Sequence, residues 1–191
     1  MFKKLAIVFG GFALLAIAIY GTQVWVEHSR KAASDQALAQ VADWDQGSNL
    51  AARLMVDEYG PPQWVAKDRL EWFAIPPWKR IVVSKAAAGF LEHAVSYRIP
   101  PDKLPEMLRF GRGLSVDVTN GELTARGESE ETNLLCLNLA NDIALGKRTA
   151  AEADRFYRDT VRMSRSGKSS PYLERVLFAV TVPREAEMPL P

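Results

Sequence analysis

The sequence is poor in the residues that most active sites require. It has one cysteine, Cys136, and two histidines, His28 and His93. A lone cysteine excludes an intramolecular disulfide and a thiolate metal cage, and the two histidines stand far apart with no HExxH pattern. No metal site and no cofactor is therefore expected. No Gly-x-Ser-x-Gly elbow exposes a serine. Gly167-Lys168-Ser169 imitates the end of a phosphate-binding loop, but Arg162 stands where its first glycine belongs, and no apolar strand precedes it. Basic clustering is missing too. From Glu27 onward, 22 basic side chains face 23 acidic ones, a balance that argues against nucleic acid as a partner. Low-complexity tracts and internal repeats are absent, so the fold must hold by burial alone.

What the sequence does have is a leader. Lys3 and Lys4 precede an uncharged, mainly apolar run from Leu5 to Val26. At about 1.5 Å of rise per residue, such a run crosses a hydrocarbon core of about 30 Å. A cleavable secretory signal shares this start, with Ala16 and Ala18 as small residues at the cleavage position. The continuation favours an anchor in the lipid bilayer instead. Ile19, Tyr20, Val24, Trp25 and Val26 follow with no polar c-region, and Tyr20 and Trp25 stand where an aromatic belt is expected. Lys3 and Lys4 keep the N-terminus cytoplasmic by the positive-inside rule, against the weaker pull of His28, Arg30 and Lys31. The bulk of the chain is expected outside the cytoplasm.

About 165 residues remain after the leader, enough for one core. From Glu27, Ala37, Val41 and Trp44 recur at i, i+4 and i+7, which predicts a helical stalk over residues 27–47. A second helix is expected from an N-cap at Asn49 to Tyr59, stopped by Gly60-Pro61-Pro62, with Leu50, Leu54 and Met55 on its buried side. Arg69 to Ile75 and Lys79 to Ser84 then read as strands around Pro76-Pro77. Phe90 to Ile99 alternates, placing Leu91, His93, Val95, Tyr97 and Ile99 on one face, and Asp102 to Phe110 reads as a short helix.

Asn120-Gly121 predicts a type I′ hairpin over Leu114–Arg126, in which Val118 opposes Leu123 and Val116 opposes Ala125. Leu114, Val116, Val118, Leu123 and Ala125 would share a buried face, with Asp117 and Arg126 as an exposed diagonal ion pair. Glu130 to Leu145 is a helix apolar nearly all round, apart from a stripe of Glu131, Asn138 and Asp142. Thr149-Ala150-Ala151-Glu152 is a capping box that starts another helix, to about Ser164. Tyr172 to Val182 fits either a short helix or a final strand. Pro183 to Pro191 reads as a disordered tail.

Three groups of side chains carry candidate functions. His93 has a pKa suited to a general base, although its strand position favours a buried sheet histidine. Glu131 and Asp142 share a helical face and would form a carboxylate pair if they lined a cleft; a solvated face is the plainer reading. Trp64, Trp72, Phe73 and Trp78, interleaved with Pro61, Pro62, Pro76 and Pro77, make a candidate partner-binding surface, because tryptophan beside rigid proline is a good interface anchor. Cys136 lies on the apolar side of its helix, where burial suppresses the thiolate.

The segment Glu130-Glu131-Thr132-Asn133-Leu134 to Gly146-Lys147-Arg148-Thr149, with Tyr97-Arg98-Ile99-Pro100-Pro101-Asp102-Lys103 and Trp78-Lys79-Arg80, resembles a group of bacterial exported or membrane-anchored proteins of unknown function. That resemblance implies a bacterial envelope location and no activity.

Together these readings predict an α+β protein: an N-terminal single transmembrane helix over residues 1–26, a stalk over 27–47, one periplasmic domain over 48–182 with an antiparallel sheet packed against C-terminal helices, and a tail over 183–191. The expected function is non-enzymatic. The protein reads as a tethered interaction domain, an assembly factor or accessory subunit of an inner-membrane protein complex. An envelope hydrolase using Glu131, Asp142 and His93, or a carrier of a small ligand or lipid, are the alternatives.

Overall fold

The structure is a computed structural model and describes residues 26–180. The anchor expected over residues 1–26, apart from Val26, and the tail expected from Pro183 lie outside the described residues. Among those described, no helix is long and apolar enough to cross a membrane.

Alanine-rich sequence after Val26 forms helix α1 over residues 26–40. Its expected apolar stripe exists, with Ala37, Val41 and Trp44 all buried, so the end of the segment drawn as a stalk joins the hydrophobic core. Helix α2 (Gln46–Tyr59) begins three residues before the expected cap. Asn49 instead lies in its first turn, where its amide donates to the Val41 carbonyl at 2.7 Å and ties the two helices. Gly60, with φ of +79°, stops α2, and Pro61-Pro62 cannot continue it.

The buried side of α2 is Ser48, Ala51, Ala52, Met55 and Val56; of the residues expected there, Met55 is buried and Leu50 and Leu54 are not. Leu50 and Leu54 are 56% and 54% exposed. The buried set recurs at i, i+3, i+4, i+7 and i+8, and its small residues let the helix lie close to the sheet. Side-chain size pointed to the leucines; spacing decided the face.

Strands β1 (Trp64–Val65), β2 (Arg69–Ile75), β3 (Trp78–Ser84), β4 (Leu91–Ser96), β5 (Leu114–Asp117) and β6 (Glu122–Gly127) make one six-stranded antiparallel sheet in the order β1-β2-β3-β4-β6-β5. The protein is thus mixed α+β. The short edge strand β1 was not foreseen. Between β4 and β5 runs helix α3 (Leu104–Phe110), and the return strand β6 inserts between β4 and β5. One sheet face carries Leu70, Trp72, Ile81, Val83, Leu91, His93, Val95, Leu123 and Ala125, all buried, paired across strands as Trp72–Ile81, Ile81–His93 and His93–Ala125. On the opposite face Glu71, Glu92 and Glu122 are each paired with an arginine or lysine: Arg69, Arg80, Lys79 and Arg126 lie across them.

The β5–β6 hairpin is slipped by two residues from the expected pairing. Asp117 opposes Glu122 and Val116 opposes Leu123, which leaves a four-residue loop, Val118 to Gly121. Asp117 is the reason. Its carboxylate accepts from the Thr119 and Asn120 backbone amides at 3.0 and 2.9 Å and from the Asn120 side chain at 2.7 Å, an Asx-type closure that outcompetes the tight turn. These donors, the Asn120 amide first, hold the Asp117 carboxyl below its usual range. A slip of two preserves the faces, so Val116, Leu123 and Ala125 stay inward, but it expels Val118, which is 57% exposed. Arg126 pairs with Glu92 of β4 rather than with Asp117.

Helix α4 (Glu130–Ala144), capped by Ser129, crosses the apolar sheet face, and every residue from Asn133 to Ala144 is buried. Helix α5 (Ala150–Arg165) starts at the expected capping box, with Glu152 N bonded to the Thr149 hydroxyl at 3.3 Å and Thr149 N to the Glu152 carboxylate at 2.8 Å. It covers α3 and α4. The apolar run after Tyr172 resolves into a single helical turn, α6 (Pro171–Glu174), followed by irregular chain to Val180.

Candidate functional site

Chain geometry gathers one unusual cluster where the β2–β3 hairpin end meets α2 and α4. Pro76-Pro77, joined by a cis peptide bond, close the hairpin so that Ile75 faces Trp78. The consecutive residues Lys79 and Arg80 both reach Glu122, so strand alternation breaks beside Trp78, and its ring turns into the core. Trp78 is 1% exposed, with its ring centroid 4.4 Å from that of His93. Its indole N–H donates to the Tyr59 hydroxyl at 3.0 Å, and that hydroxyl donates to Glu130 Oε1 at 2.5 Å. Tyr59 is the last residue of α2 and Glu130 the first of α4.

His93 completes the cluster from below. Asn133 donates from Nδ2 to the Leu91 carbonyl and faces His93 Nδ1, both at 3.0 Å. Because the carbonyl fixes the amide as donor, Nδ1 must accept, and the neutral imidazole carries its proton on Nε2. That N–H is fully buried and has no partner; Nε2 lies 3.9 Å from Glu130 Oε1. Burial pushes the His93 pKa down to about 3, so the ring is neutral at physiological pH. Burial likewise raises the Glu130 carboxyl above its usual range, partly offset by the hydrogen bond from Tyr59. The Tyr59 hydroxyl is raised by burial and then by its bond to Glu130. Trp78, Tyr59 and Glu130 therefore satisfy one another, while the His93 Nε2–H beside them is left without a partner.

Above it lies a cleft of about 410 Å³. Pro76, Pro77 and Trp78 form one wall, Tyr59, Glu130 and Glu131 the floor, and residues 173–176 the other wall. The second wall is held by Asn138, whose buried amide donates to the carbonyls of Tyr172 and Arg175 at 3.1 and 2.8 Å and accepts from Leu177 N at 2.8 Å. Asn138→Ala would strand these three backbone groups at a cost of about 2–3 kcal/mol. Denaturant unfolding should record that loss, and trypsin should cut after Arg175 sooner than in wild type.

The structure separates the residues expected to act together. Glu131 is exposed and lines the cleft. Asp142, 11 positions further along α4, is about 16 Å away along the helix axis, beyond the separation at which two carboxyls share one bond-breaking step. It is also occupied: Arg148 lies at 3.0 Å, Lys147 at 3.7 Å and the Tyr172 hydroxyl at 2.7 Å. Asn138 and Asp142 are thus buried structural ties, not a solvated stripe. His93 is sealed, so no external substrate reaches its ring. Among the expected partner-binding residues, Trp72 is fully buried, its indole donating to the Gly60 carbonyl at 2.9 Å, and Trp78 belongs to the cluster. Trp64, 38% exposed, and the half-buried Phe73 remain outward, both on the sheet face opposite the helices.

Cys136 is fully inside, its thiol donating to the Arg112 carbonyl at 3.4 Å and its pKa pushed up to about 12 by burial. Among the described residues no group of three or more His, Cys, Asp or Glu side chains could hold a metal ion. Sequence reasoning missed Tyr59, Glu130 and Asn133. They are joined to Trp78 and His93 only by tertiary contact, and no local spacing announces that. Fold and cleft define a mixed α+β domain with a surface cleft over a closed polar cluster. Compared with known protein families, curated proteins and solved structures, the chain matches none.

Proposed function

We propose that the protein is a membrane-tethered, non-enzymatic interaction domain, an assembly factor or accessory subunit of an inner-membrane complex, anchored through Leu5 to Val26 with its bulk in the periplasm. The single observation that carries this reading is the cleft at the hairpin end: its proline wall is rigid, and the buried groups beneath it are engaged with each other rather than presented to a substrate. The anchor argument is one of sequence, and confinement to the membrane raises the effective concentration of membrane partners. Dispersal of Glu131, Asp142 and His93 weighs against the hydrolase. The apolar sheet face is filled by Trp72, Ile81, Leu123, Leu135 and Leu139, all fully buried, which weighs against a carrier pocket beneath it.

The test is purification of full-length protein in mild detergent, wild type beside Glu131→Lys/Glu174→Lys, two exposed positions of the cleft. A protein that travels with the wild type should be lost from the variant while the melting temperature is unchanged. Equal recovery from both would reject the cleft as the contact surface.

A further inference from the structure

The cleft does not end at Glu130. Glu58, Glu130 and Glu131 also line a second groove, of about 430 Å³, along α2. Its apolar lining includes Leu50, Leu54, Met55 and Phe90. The outward stripe of α2 explains its character, because Leu50, Leu54, Asp57 and Glu58 stand at i, i+4, i+7 and i+8. One end of the stripe is greasy and the other acidic. Glu128 and Glu131 extend the acidic end from the start of α4.

Two independent observations mark this surface as incomplete. Leu50 and Leu54 are the large apolar side chains that α2 turns away from its own core, each more than half exposed. Beside them, among the described residues, none of Asp57, Glu58, Glu128, Glu131 and Glu174 has a lysine or arginine nitrogen within 4.0 Å, whereas every glutamate on the open sheet face has one. At the junction of the two grooves sits Glu130, with the unpartnered, fully buried Nε2 of His93 3.9 Å from its carboxylate.

We infer that the joined groove receives an amphipathic, cationic peptide segment of a partner protein, its apolar side chains resting on Leu50, Leu54 and Phe90 and its lysines or arginines meeting Glu58, Glu128 and Glu131. This rests on the interaction-domain reading and names the chemistry of the partner. Apolar area supplies the attraction, and the acidic rim selects the sign of charge and the orientation.

Full-length protein in phosphatidylcholine nanodiscs provides the test, with empty nanodiscs as the blank. The probe is a labelled synthetic helix with leucine at i, i+3, i+4 and i+7 and lysine elsewhere; the comparison peptides replace lysine by glutamate, or leucine by serine. Fluorescence anisotropy should show binding of the lysine–leucine peptide alone, weakened about tenfold or more between low and high salt. Leu50→Ser/Leu54→Ser and Glu58→Lys/Glu131→Lys should each weaken it about tenfold or more, since each removes one half of the recognition. Asp35→Lys, an exposed charge change on α1, should leave it unchanged. Equal binding by both groove variants, equal binding to empty nanodiscs, or self-association of the protein through Leu50 and Leu54 overturns the inference. If no peptide binds while the cleft variant still loses its co-purifying protein, the partner chemistry is wrong and the interaction-domain reading survives. Failure of both experiments removes the two together.

Discussion

Trp78→Ala is expected to destabilise the fold by about 3–5 kcal/mol, the range for deleting a large buried aromatic side chain. In a domain of this length each kcal/mol lowers the melting temperature by about 2–4 °C, so a fall of about 6–20 °C should be visible by calorimetry. Three losses combine. A cavity opens at the centre of the cluster, the tilted ring contact with His93 disappears, and the Tyr59 hydroxyl loses its indole donor. Trp78→Phe separates these, because a ring remains against His93 while the donor is gone; its cost should be about 1–2 kcal/mol. Trp64→Ala provides the contrast. That side chain sits on a two-residue edge strand with much of its surface in water, and its loss should change stability by less than about 1 kcal/mol. Were Trp64→Ala to cost as much as Trp78→Ala, the assignment of Trp78 to the core and Trp64 to the surface would fail.

That contrast also shows where the sequence was legible. Segment types were readable because local rules governed them: Gly60-Pro61-Pro62 stops α2, Thr149 and Glu152 cap α5, and alternation through Leu91, His93 and Val95 marks β4. Faces and registers were less legible, because competing local interactions decide them. Leu50 and Leu54 outweighed Ala51 and Ala52 in apolar bulk, yet the smaller stripe had the closer spacing and the closer fit to the sheet. Asn120-Gly121 suits a two-residue turn, yet the Asp117 side chain closes a longer one. The tryptophans were expected to offer exposed rings, and two of them do not. Trp72 is buried in the sheet core and Trp78 backs the cleft wall instead of offering its ring, and the exposed chemistry comes from glutamates at the start of α4 and the end of α2. No spacing rule links Tyr59 to Glu130, which are 71 positions apart. Such a pairing is a property of the packed fold, as is the conversion of the Asn138–Asp142 stripe from a solvated face into ties for the C-terminal segment.

Acidification should unfold the protein through His93. In the unfolded chain a histidine takes up its proton near pH 6.5, whereas burial holds the folded ring neutral down to about 3. The folded-state pKa is depressed, so the contribution is fully present above pH 6.5 and is lost progressively as the pH falls toward 3. Within that window the slope is about 1.4 kcal/mol per pH unit, because the unfolded state binds one proton that the folded state refuses. Glu130 and Tyr59 are the titratable groups that face or adjoin the ring. The Glu130 carboxyl, raised by its own burial, gains stability as the pH falls from its folded pKa to the unfolded carboxyl value, so it opposes the His93 trend there in wild type and variant alike. Tyr59 stays protonated throughout. The clean comparison is therefore urea unfolding at pH 7 and pH 5, wild type against His93→Gln, which keeps a polar group opposite Asn133 and has nothing to titrate. Wild type should lose about 2 kcal/mol more than the variant over this interval. Equal losses would mean that the folded ring accepts a proton as readily as the unfolded one, and the sealed neutral histidine beneath Glu130 would then be refuted.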